Sequence, residues 1–425
     1  MAINSGYLET LLTGLKEPQI LFLLQLLLII ATAKITGFIL SKLGQPAVIG
    51  EIAAGILLGP SIMGLVMPDF SDFIFPVESL KGLQYLSQIG LILFMFIVGL
   101  ELDLSELKGE AKTIIVISSA SIILPFISGC CIAYYIYTLF KPENYTFFSF
   151  SIFMGISFSI TAFPVLARII FEKKMQRTKV GYLSLSCAAI NDCAAWFLLS
   201  VILAYIKADN YYDAFIRLGC IILFLLFMLF FVKPILHKIY HRIEKYFTVI
   251  ILSTVLFSSI LTELMGIHAL FGAFITGIII SDRKFDSSEL VKKIHDVSII
   301  LFLPIFFALS GLRTSIGLLN SGNLWVIFII ILFVAIFGKM LSATLASKYS
   351  GLGWYDSISI GVLMNTRGLI ELIILNIGYD LGIIKPALFT ILVLMAITTT
   401  FITGPLLDFF QNRKKIALKQ KKQFL

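Results

Sequence analysis

The chain has 425 residues, 59% of them hydrophobic and 14% charged, with a mean hydropathy of +0.99. Continuous apolar runs of about 20 residues recur along it, the length of helix that crosses a hydrocarbon core, so a soluble domain is excluded, and a closed barrel would show short alternating segments instead. The net charge of +8 does not point to nucleic acid, because basic residues gathered on the cytoplasmic side of a membrane give the same excess.

The pattern is that of an all-α polytopic membrane protein with about thirteen transmembrane helices. The expected spans run roughly Ile20 to Leu40, Val48 to Val66, Leu83 to Leu100, Thr113 to Phe140, Phe147 to Ile170, Val180 to Ile206 and Ala214 to Val232. They continue with Phe247 to Met265, Ile267 to Ser281, Val297 to Leu312, Leu324 to Ser347, Ser357 to Gly378 and Ala387 to Phe410. The first reads as a retained span rather than a cleaved leader, since no basic region precedes its apolar run.

Lysine and arginine orient the stack. With the amino terminus outside, the inner segments carry Lys173, Lys174, Arg177, Lys233, Lys238, Arg242, Lys292, Lys293 and the basic tail from Arg413 to Lys422. The outer segments carry only Lys16, Lys81, Lys141, Lys207, Arg217, Arg313 and Lys385. That asymmetry places the carboxyl terminus in the cytoplasm, with the bacterial inner membrane as the expected location.

One acid stands out. Asp192 lies in the middle of Tyr182 to Ile206, and no other charged residue falls between Lys179 and Lys207. An ionised Asp at a helix centre costs about 2.5–3.5 kcal/mol on insertion scales, so such groups face a cavity or a partner and mark an ion or proton path.

Two stretches echo each other. The run Gly50-Glu51-Ile52-Ala53-Ala54-Gly55 in the second span has the glycine spacing of Gly272-Ala273-Phe274-Ile275-Thr276-Gly277 in the ninth. Gly99-Leu100-Glu101 ends the third span where Gly311-Leu312-Arg313 ends the tenth. The offset is an odd number of spans, so the second copy lies inverted, the arrangement of secondary transporters with midplane sites between repeats. The same offset pairs the two most interrupted spans. The fifth contains Thr161-Ala162-Phe163-Pro164, where the proline removes a donor and turns Phe163 away from helical angles. The twelfth contains Met364-Asn365-Thr366-Arg367-Gly368. Helix-breaking residues at corresponding places of two repeats point to discontinuous helices around a binding site.

Thr161-Ala162-Phe163-Pro164-Val165-Leu166-Ala167-Arg168, Ile190-Asn191-Asp192, Gly338-Lys339 and Met364-Asn365-Thr366-Arg367-Gly368-Leu369-Ile370-Glu371-Leu372 together resemble the cation:proton antiporter superfamily. Within it they are most similar to the plant-type cation/H+ exchangers of the second family. The resemblance runs from about residue 20 to 410 and implies crossed broken helices in the fifth and twelfth spans. It also implies a homodimer and a division of labour along the chain: a dimerisation domain of residues 1–112 and 246–320, a core ion-transport domain of 113–210 and 321–410, a linker helix over 211–245 and a basic tail over 411–425.

Roles carried by the resemblance fall on matching positions. Asp192 is the carboxylate that binds the cation or protons, with Asn191 beside it and Thr161 at the break of the crossing helix. Lys339 faces the site and tunes it. Pro164, Arg367 and Glu371 support the crossing, and the i, i+4 spacing of Arg367 and Glu371 lets them pair on one helix face. Asn191 stands where the two-aspartate subfamily has its first aspartate, and Lys339 stands where single-aspartate exchangers commonly carry arginine, so stoichiometry stays open.

The chemistry follows from charge. A site that is neutral when loaded and costly to move when empty couples two fluxes, and a single carboxylate that takes one proton or one monovalent cation meets that need. The expected partners are Na+ or K+, protons and membrane lipid, with no nucleic acid and no cofactor. A gated K+ channel or a non-transporting sensor on the same scaffold are the competing readings. Cys130, Cys131, Cys187, Cys193 and Cys220 read as small core residues, no nucleotide loop or enzymatic motif is present, and Glu263 and His268 read as solvated residues at an outer turn.

Overall fold

The fold is taken from a computed structural model that describes residues 17–43, 45, 47–101, 110–175, 177–206, 211–240, 247–265, 268–281, 296–320 and 322–423. Among the described residues it is helical, without strands. The main helices are α1 (Pro18–Lys42), α2 (Ala47–Leu58), α3 (Leu80–Glu101), α4 (Ala111–Phe140), α5 (Phe147–Ser159), α6 (Phe163–Glu172), α7 (Lys179–Ile206) and α8 (Tyr211–Phe227). They continue as α9 (Phe247–Leu264), α10 (Ala269–Ile280), α11 (Leu303–Leu312), α12 (Gly322–Tyr349), α13 (Trp354–Met364), α14 (Leu369–Asp380) and α15 (Pro386–Gln423). Nine helices among the described residues are long and apolar enough to cross a membrane, and three shorter apolar helices accompany them. Every expected span overlaps a helix or a pair of half-helices.

Several boundaries depart from expectation for identifiable reasons. The second expected span is not one helix, because α2 stops at Leu58 and a turn at Gly59 and Pro60 precedes a short helix at Met63–Val66. The seventh and tenth spans each contain a π-helical turn, at Met228–Val232 and Ser298–Phe302. Each turn directly precedes a proline at the second position of the next helical stretch, Pro234 and Pro304, whose missing N–H cannot continue the regular ladder. The last span does not end at Phe410. Its helix continues to Gln423, through most of the segment read as a tail.

By contacts the chain divides into two compact units, Met1–Leu91 with Lys293–Leu318, and Ile92–Lys292 with Leu319–Leu425. In the first unit α2 packs against α1 and α11. Glycine permits both approaches. Thr36 Oγ1 donates to the Gly50 carbonyl at 2.7 Å, and a methyl group on Gly50 would collide with the Gly37 backbone. A methyl group on Gly311 would lie 2.7 Å from the Gly55 Cα. Gln25, fully buried on α1, donates to the Ile74 carbonyl and to Ser79 Oγ, both at 2.6 Å.

The second unit repeats those contacts. Ser258 Oγ on α9 donates to the Gly272 carbonyl on α10 at 3.0 Å. A methyl group on Gly277 would lie 2.9 Å from the Gly99 Cα of α3. Thr36 with Gly50 thus corresponds to Ser258 with Gly272, and Gly55 with Gly311 to Gly277 with Gly99. The repeat expected from glycine spacing therefore appears as a repeat of contacts, each made within its own unit. The remainder of the second unit packs α4 against α5, α7 and α12, and α13 against α7, α12 and α15.

Candidate functional site

Two interrupted helices build the site. Thr146 caps α5, accepting from the Ser149 amide at 3.3 Å, and α5 runs to Ser159. Residues 160–162 are non-helical, and α6 begins at Phe163. The sequence expectation that Pro164 displaces Phe163 from the helix needs correction. Pro164 is the second residue of α6, where its missing N–H belongs to a group without an intrahelical acceptor anyway, and the break falls before Phe163. The second interruption covers Asn365 to Gly368, between α13 and α14.

The breaks touch each other. The Ala162 amide donates to the Thr366 carbonyl at 3.1 Å, and Thr161 Oγ1 donates to the Met364 carbonyl at 3.2 Å. Backbone groups that a continuous helix would satisfy internally are thus satisfied across the crossing, which a membrane interior requires.

The end of α5 gathers positive charge. Lys339 Nζ donates to the Ser121 carbonyl at 2.7 Å and to the Ser159 carbonyl. Arg367 donates from Nη1 to the Ser157 carbonyl at 2.8 Å and from Nη2 to the Phe158 carbonyl at 3.0 Å. A helix carboxyl end carries partial negative charge, so both cations complement it. Arg367 Nη1 also meets Glu371 Oε1 at 2.8 Å, and Glu371 lies in the first turn of α14, where partial positive charge gathers. Both side chains are fully buried.

Asp192 is different. It is completely buried on α7, and neither carboxylate oxygen has a hydrogen-bond partner of normal geometry among the described residues. The Phe163 amide and the Lys339 ammonium are the groups that act on its charge. Its neighbour Asn191 donates from Nδ2 to Ser121 Oγ at 2.9 Å and to Thr161 Oγ1 at 3.3 Å. Among the described residues of the site, Asp192 is thus a carboxylate with neither oxygen hydrogen-bonded, whereas Glu371 Oε1 is paired with Arg367. Among the described residues no group of three His, Cys, Asp or Glu gathers, the donor set that a transition metal would want.

The expected residues Asn191, Thr161, Lys339, Arg367 and Glu371 thus meet around the crossing in the second unit, and Asp192 is the next residue to Asn191 on α7. Ser121 was not foreseen, although its hydroxyl and carbonyl join Asn191 to Lys339. Thr400 was missed as well, and it accepts from the Arg367 amide at 2.9 Å and donates to the Arg367 carbonyl at 2.6 Å. Trp196, one turn beyond Asp192, is fully buried with its ring 6.5 Å from Phe274. A separate cavity beside Pro18, Phe22, Pro76 and Gly82 lies in the first unit and holds none of these residues.

Glu263 and His268 are not merely solvated, because Glu263 Oε2 accepts from the Ala269 amide at 2.9 Å and His268 Nδ1 from the Leu270 amide at 3.4 Å, capping α10. Of the five cysteines only Cys187 is buried, and Cys131 is exposed. At the starts of α4 and α7, Lys179 Nζ lies 2.6 Å from Glu110 Oε1. The hydrogen bond from Lys179, then that from Thr113, holds the Glu110 carboxyl below its ordinary range.

Residues 27–412 match the family model described as sodium/hydrogen exchanger, transmembrane. The Na(+)/H(+) antiporter NhaS4 of Synechocystis sp. is 41% identical over 394 residues, which are 91% of this chain and 96% of that protein. Cation/H(+) antiporter 17 of Arabidopsis thaliana is 40% identical over 91% of this chain and 48% of its own length. K(+)/H(+) antiporter 1 of Saccharomyces cerevisiae is 35% identical over 92% of this chain and 46% of its own length, so the chain spans about half of these plant and yeast relatives. The structure of the sodium proton antiporter MjNhaP1 from Methanocaldococcus jannaschii shares the fold, with a TM-score of 0.67, 17% identity, and coverage of 95% of this chain and 99% of that one. From the match over residues 27–412 and the identity to relatives over nine-tenths of its length, the chain belongs to the sodium/hydrogen exchanger family.

Proposed function

We propose that this chain is a secondary active antiporter that exchanges Na+ or K+ for H+ by alternating access at Asp192. The observation that carries the reading is the buried Asp192 carboxylate, both of whose oxygens lack a hydrogen-bond partner of normal geometry among the described residues. A buried ionised carboxylate is costly unless it gains a counter-charge or a proton. Either ligand relieves that cost and the two exclude each other, so uptake of one drives release of the other. The names of the bacterial, plant and yeast relatives support the same reading.

Further parts of the reading rest on sequence. We infer thirteen crossings, an external amino terminus and a cytoplasmic carboxyl terminus from the hydropathy and the lysine and arginine asymmetry, with the bacterial inner membrane as the expected location. We assign residues 1–112 and 246–320 to dimer formation and residues 113–210 and 321–410 to ion transport, with the chain acting as a homodimer. Lys339 tunes the site, while Pro164, Arg367 and Glu371 hold the crossing.

The test is dye-monitored proton flux in proteoliposomes with an imposed pH gradient and a clamped membrane potential. Added Na+ or K+ drives proton movement in the wild type, and Asp192→Asn, which keeps the shape of the side chain, abolishes it. Cation flux without proton movement would favour a channel, and retained exchange in Asp192→Asn would remove the carboxylate from the mechanism.

A further inference from the structure

We propose that Asn365 is a cation ligand, its side-chain oxygen joining the Asp192 carboxylate and the Asn191 side-chain oxygen around the transported ion. The proposal rests on the antiport reading and adds a donor from the second interrupted helix, which the sequence reading left without a role.

Three observations carry it. Asn365 is 1% exposed, and its Oδ1 has no hydrogen-bond partner among the described residues. Asn191 is also 1% exposed, and its Oδ1 is likewise unpartnered because Nδ2 engages Ser121 and Thr161 and so fixes which end of the amide is free. With the two Asp192 oxygens, three residues of one unit each offer a buried carbonyl or carboxylate oxygen that lacks a partner among the described residues, as Glu371 Oε2 beside Arg367 does. A hydrogen-bond chain then runs from one of those residues to the chain neighbour of another. Asn191 reaches Thr161, and Thr161 reaches the Met364 carbonyl, one residue before Asn365. Helix α7, which carries Asn191 and Asp192, also packs directly on α13, whose carboxyl-terminal cap is Asn365.

The local backbone does not explain why asparagine stands there. Residue 365 caps α13 through its main-chain amide, which donates to the Val362 carbonyl at 3.2 Å, so the side chain is not needed to end the helix. Thr366 Oγ1 ties itself to the Leu363 carbonyl at 2.8 Å. A buried amide oxygen with neither role is suited to replacing water around a partly dehydrated cation, as carbonyl oxygens do in ion filters. Other polar atoms of this unit also lack a partner among the described residues, at Trp196 Nε1, Arg367 Nε and the hydroxyls of Ser184, Ser259, Ser347 and Ser357, but the Asn191–Thr161–Met364 chain does not include them.

The functional consequence separates the two ligands of the site. A proton needs only the carboxylate, whereas a cation needs several oxygens, so Asn365 acts on cation affinity and on the preference between Na+ and K+. The test compares the wild type with Asn365→Leu, which keeps approximate size and removes the oxygen, and with Asn365→Thr, which retains an oxygen. Half-saturating Na+ and K+ are measured for exchange in proteoliposomes, and thermal unfolding of the purified full chain is followed with and without each ion. The expected result is that Asn365→Leu raises half-saturation about tenfold or more for the transported ion and loses most of the ion-dependent rise in unfolding temperature, with Asn365→Thr intermediate. A purely structural role predicts instead a lower unfolding temperature in ion-free buffer with half-saturation within about twofold of wild type, and that result overturns the proposal. Absence of exchange in the wild type would defeat the antiport reading alone, because ion-dependent stabilisation of wild type against Asn365→Leu still decides whether Asn365 binds the ion. Should Asn365→Leu fail to fold, the same comparison on Asn365→Thr decides.

Discussion

The Ala162 amide donates to the Thr366 carbonyl at 3.1 Å, so a backbone group released by one helix break is satisfied by a group released by the other. This main-chain link, with Thr161 on the Met364 carbonyl, makes each break depend on its counterpart. The carboxyl end of α5 then carries two buried cations, Lys339 and Arg367, of different kinds. Arg367 is matched by a carboxylate within hydrogen-bond distance, whereas Lys339 meets carbonyls, those of Ser121 and Ser159. That difference underlies our proposal that Arg367 holds the crossing and Lys339 tunes the site.

Arg367 makes three side-chain hydrogen bonds, so its loss should be felt in stability first. Arg367→Ala leaves Glu371 as an uncompensated buried charge, a change that typically costs about 3–5 kcal/mol. Removing Glu371 as well relieves that charge but leaves the Ser157 and Phe158 carbonyls short of a donor, at about 1–3 kcal/mol each. The expected order of thermal unfolding temperatures is wild type, then Arg367→Ala with Glu371→Ala, then Arg367→Ala alone. Recovery of the double variant to the wild-type temperature would show that Arg367 serves only to neutralise Glu371.

Lys339 should behave differently. Lys339→Met loses two charge-assisted hydrogen bonds, about 1.5–3 kcal/mol each, but also removes a buried charge whose desolvation costs several kcal/mol. These terms oppose each other, so the unfolding temperature should stay within about 5 °C of wild type. Exchange should nonetheless fall by about tenfold or more, because the charge acting on Asp192 is gone. A collapse of thermal stability with exchange preserved in the surviving protein would make Lys339 a structural residue.

The sequence made the charged members of the site legible because charge is rare in apolar runs. Asp192, Lys339, Arg367 and Glu371 each interrupt one, and their placement in a common domain is what the family resemblance implies. Hydroxyl groups gave no such signal. Ser128 and Ser200 bond carbonyls one turn back on their own helices, at 2.8 Å and 2.9 Å, and nothing in the sequence sets them apart from Ser121, which bonds Asn191 across helices. The break in the fifth span was visible but misplaced, because Pro164 was read as breaking the helix when it starts one. The extension of α15 beyond Phe410 was hidden for another reason: the apolar pattern ends there while helix-forming Lys, Ala, Leu and Gln residues continue the chain.

The Glu110–Lys179 pair predicts a pH dependence of definite sign. Lys179 holds the Glu110 carboxyl below its ordinary range in the folded chain, so the folded state prefers the ionised form more than the unfolded state does. The stabilisation is present above the ordinary carboxylate pKa of about 4.3 and is lost as pH falls through the lower folded value. Both side chains are more than one-third exposed, so the effect is small and screened by salt. Glu110→Gln should therefore lower the unfolding temperature slightly near neutral pH, with the difference from wild type shrinking on acidification and in high salt. A difference that grows on acidification would contradict the pair.

Glycine contacts give a prediction with an internal control. A methyl group on Gly277 would meet the Phe96 carbonyl and lie 2.9 Å from the Gly99 Cα, both backbone groups that cannot rotate away. Gly311 meets the Ile52 carbonyl and the Gly55 Cα in the same manner. Overpacking of this kind typically costs about 1–3 kcal/mol, so Gly277→Ala and Gly311→Ala should each lower the unfolding temperature. Gly219, inside α8, has nothing within 4 Å of the added methyl. Ala is the better helix former by about 0.8–1.0 kcal/mol, so Gly219→Ala should be neutral or stabilising. The corresponding contacts in the two repeats further require Gly277→Ala and Gly311→Ala to resemble each other in size. If Gly277→Ala behaved like Gly219→Ala, the close approach of α3 and α10 would not contribute to holding the second unit together.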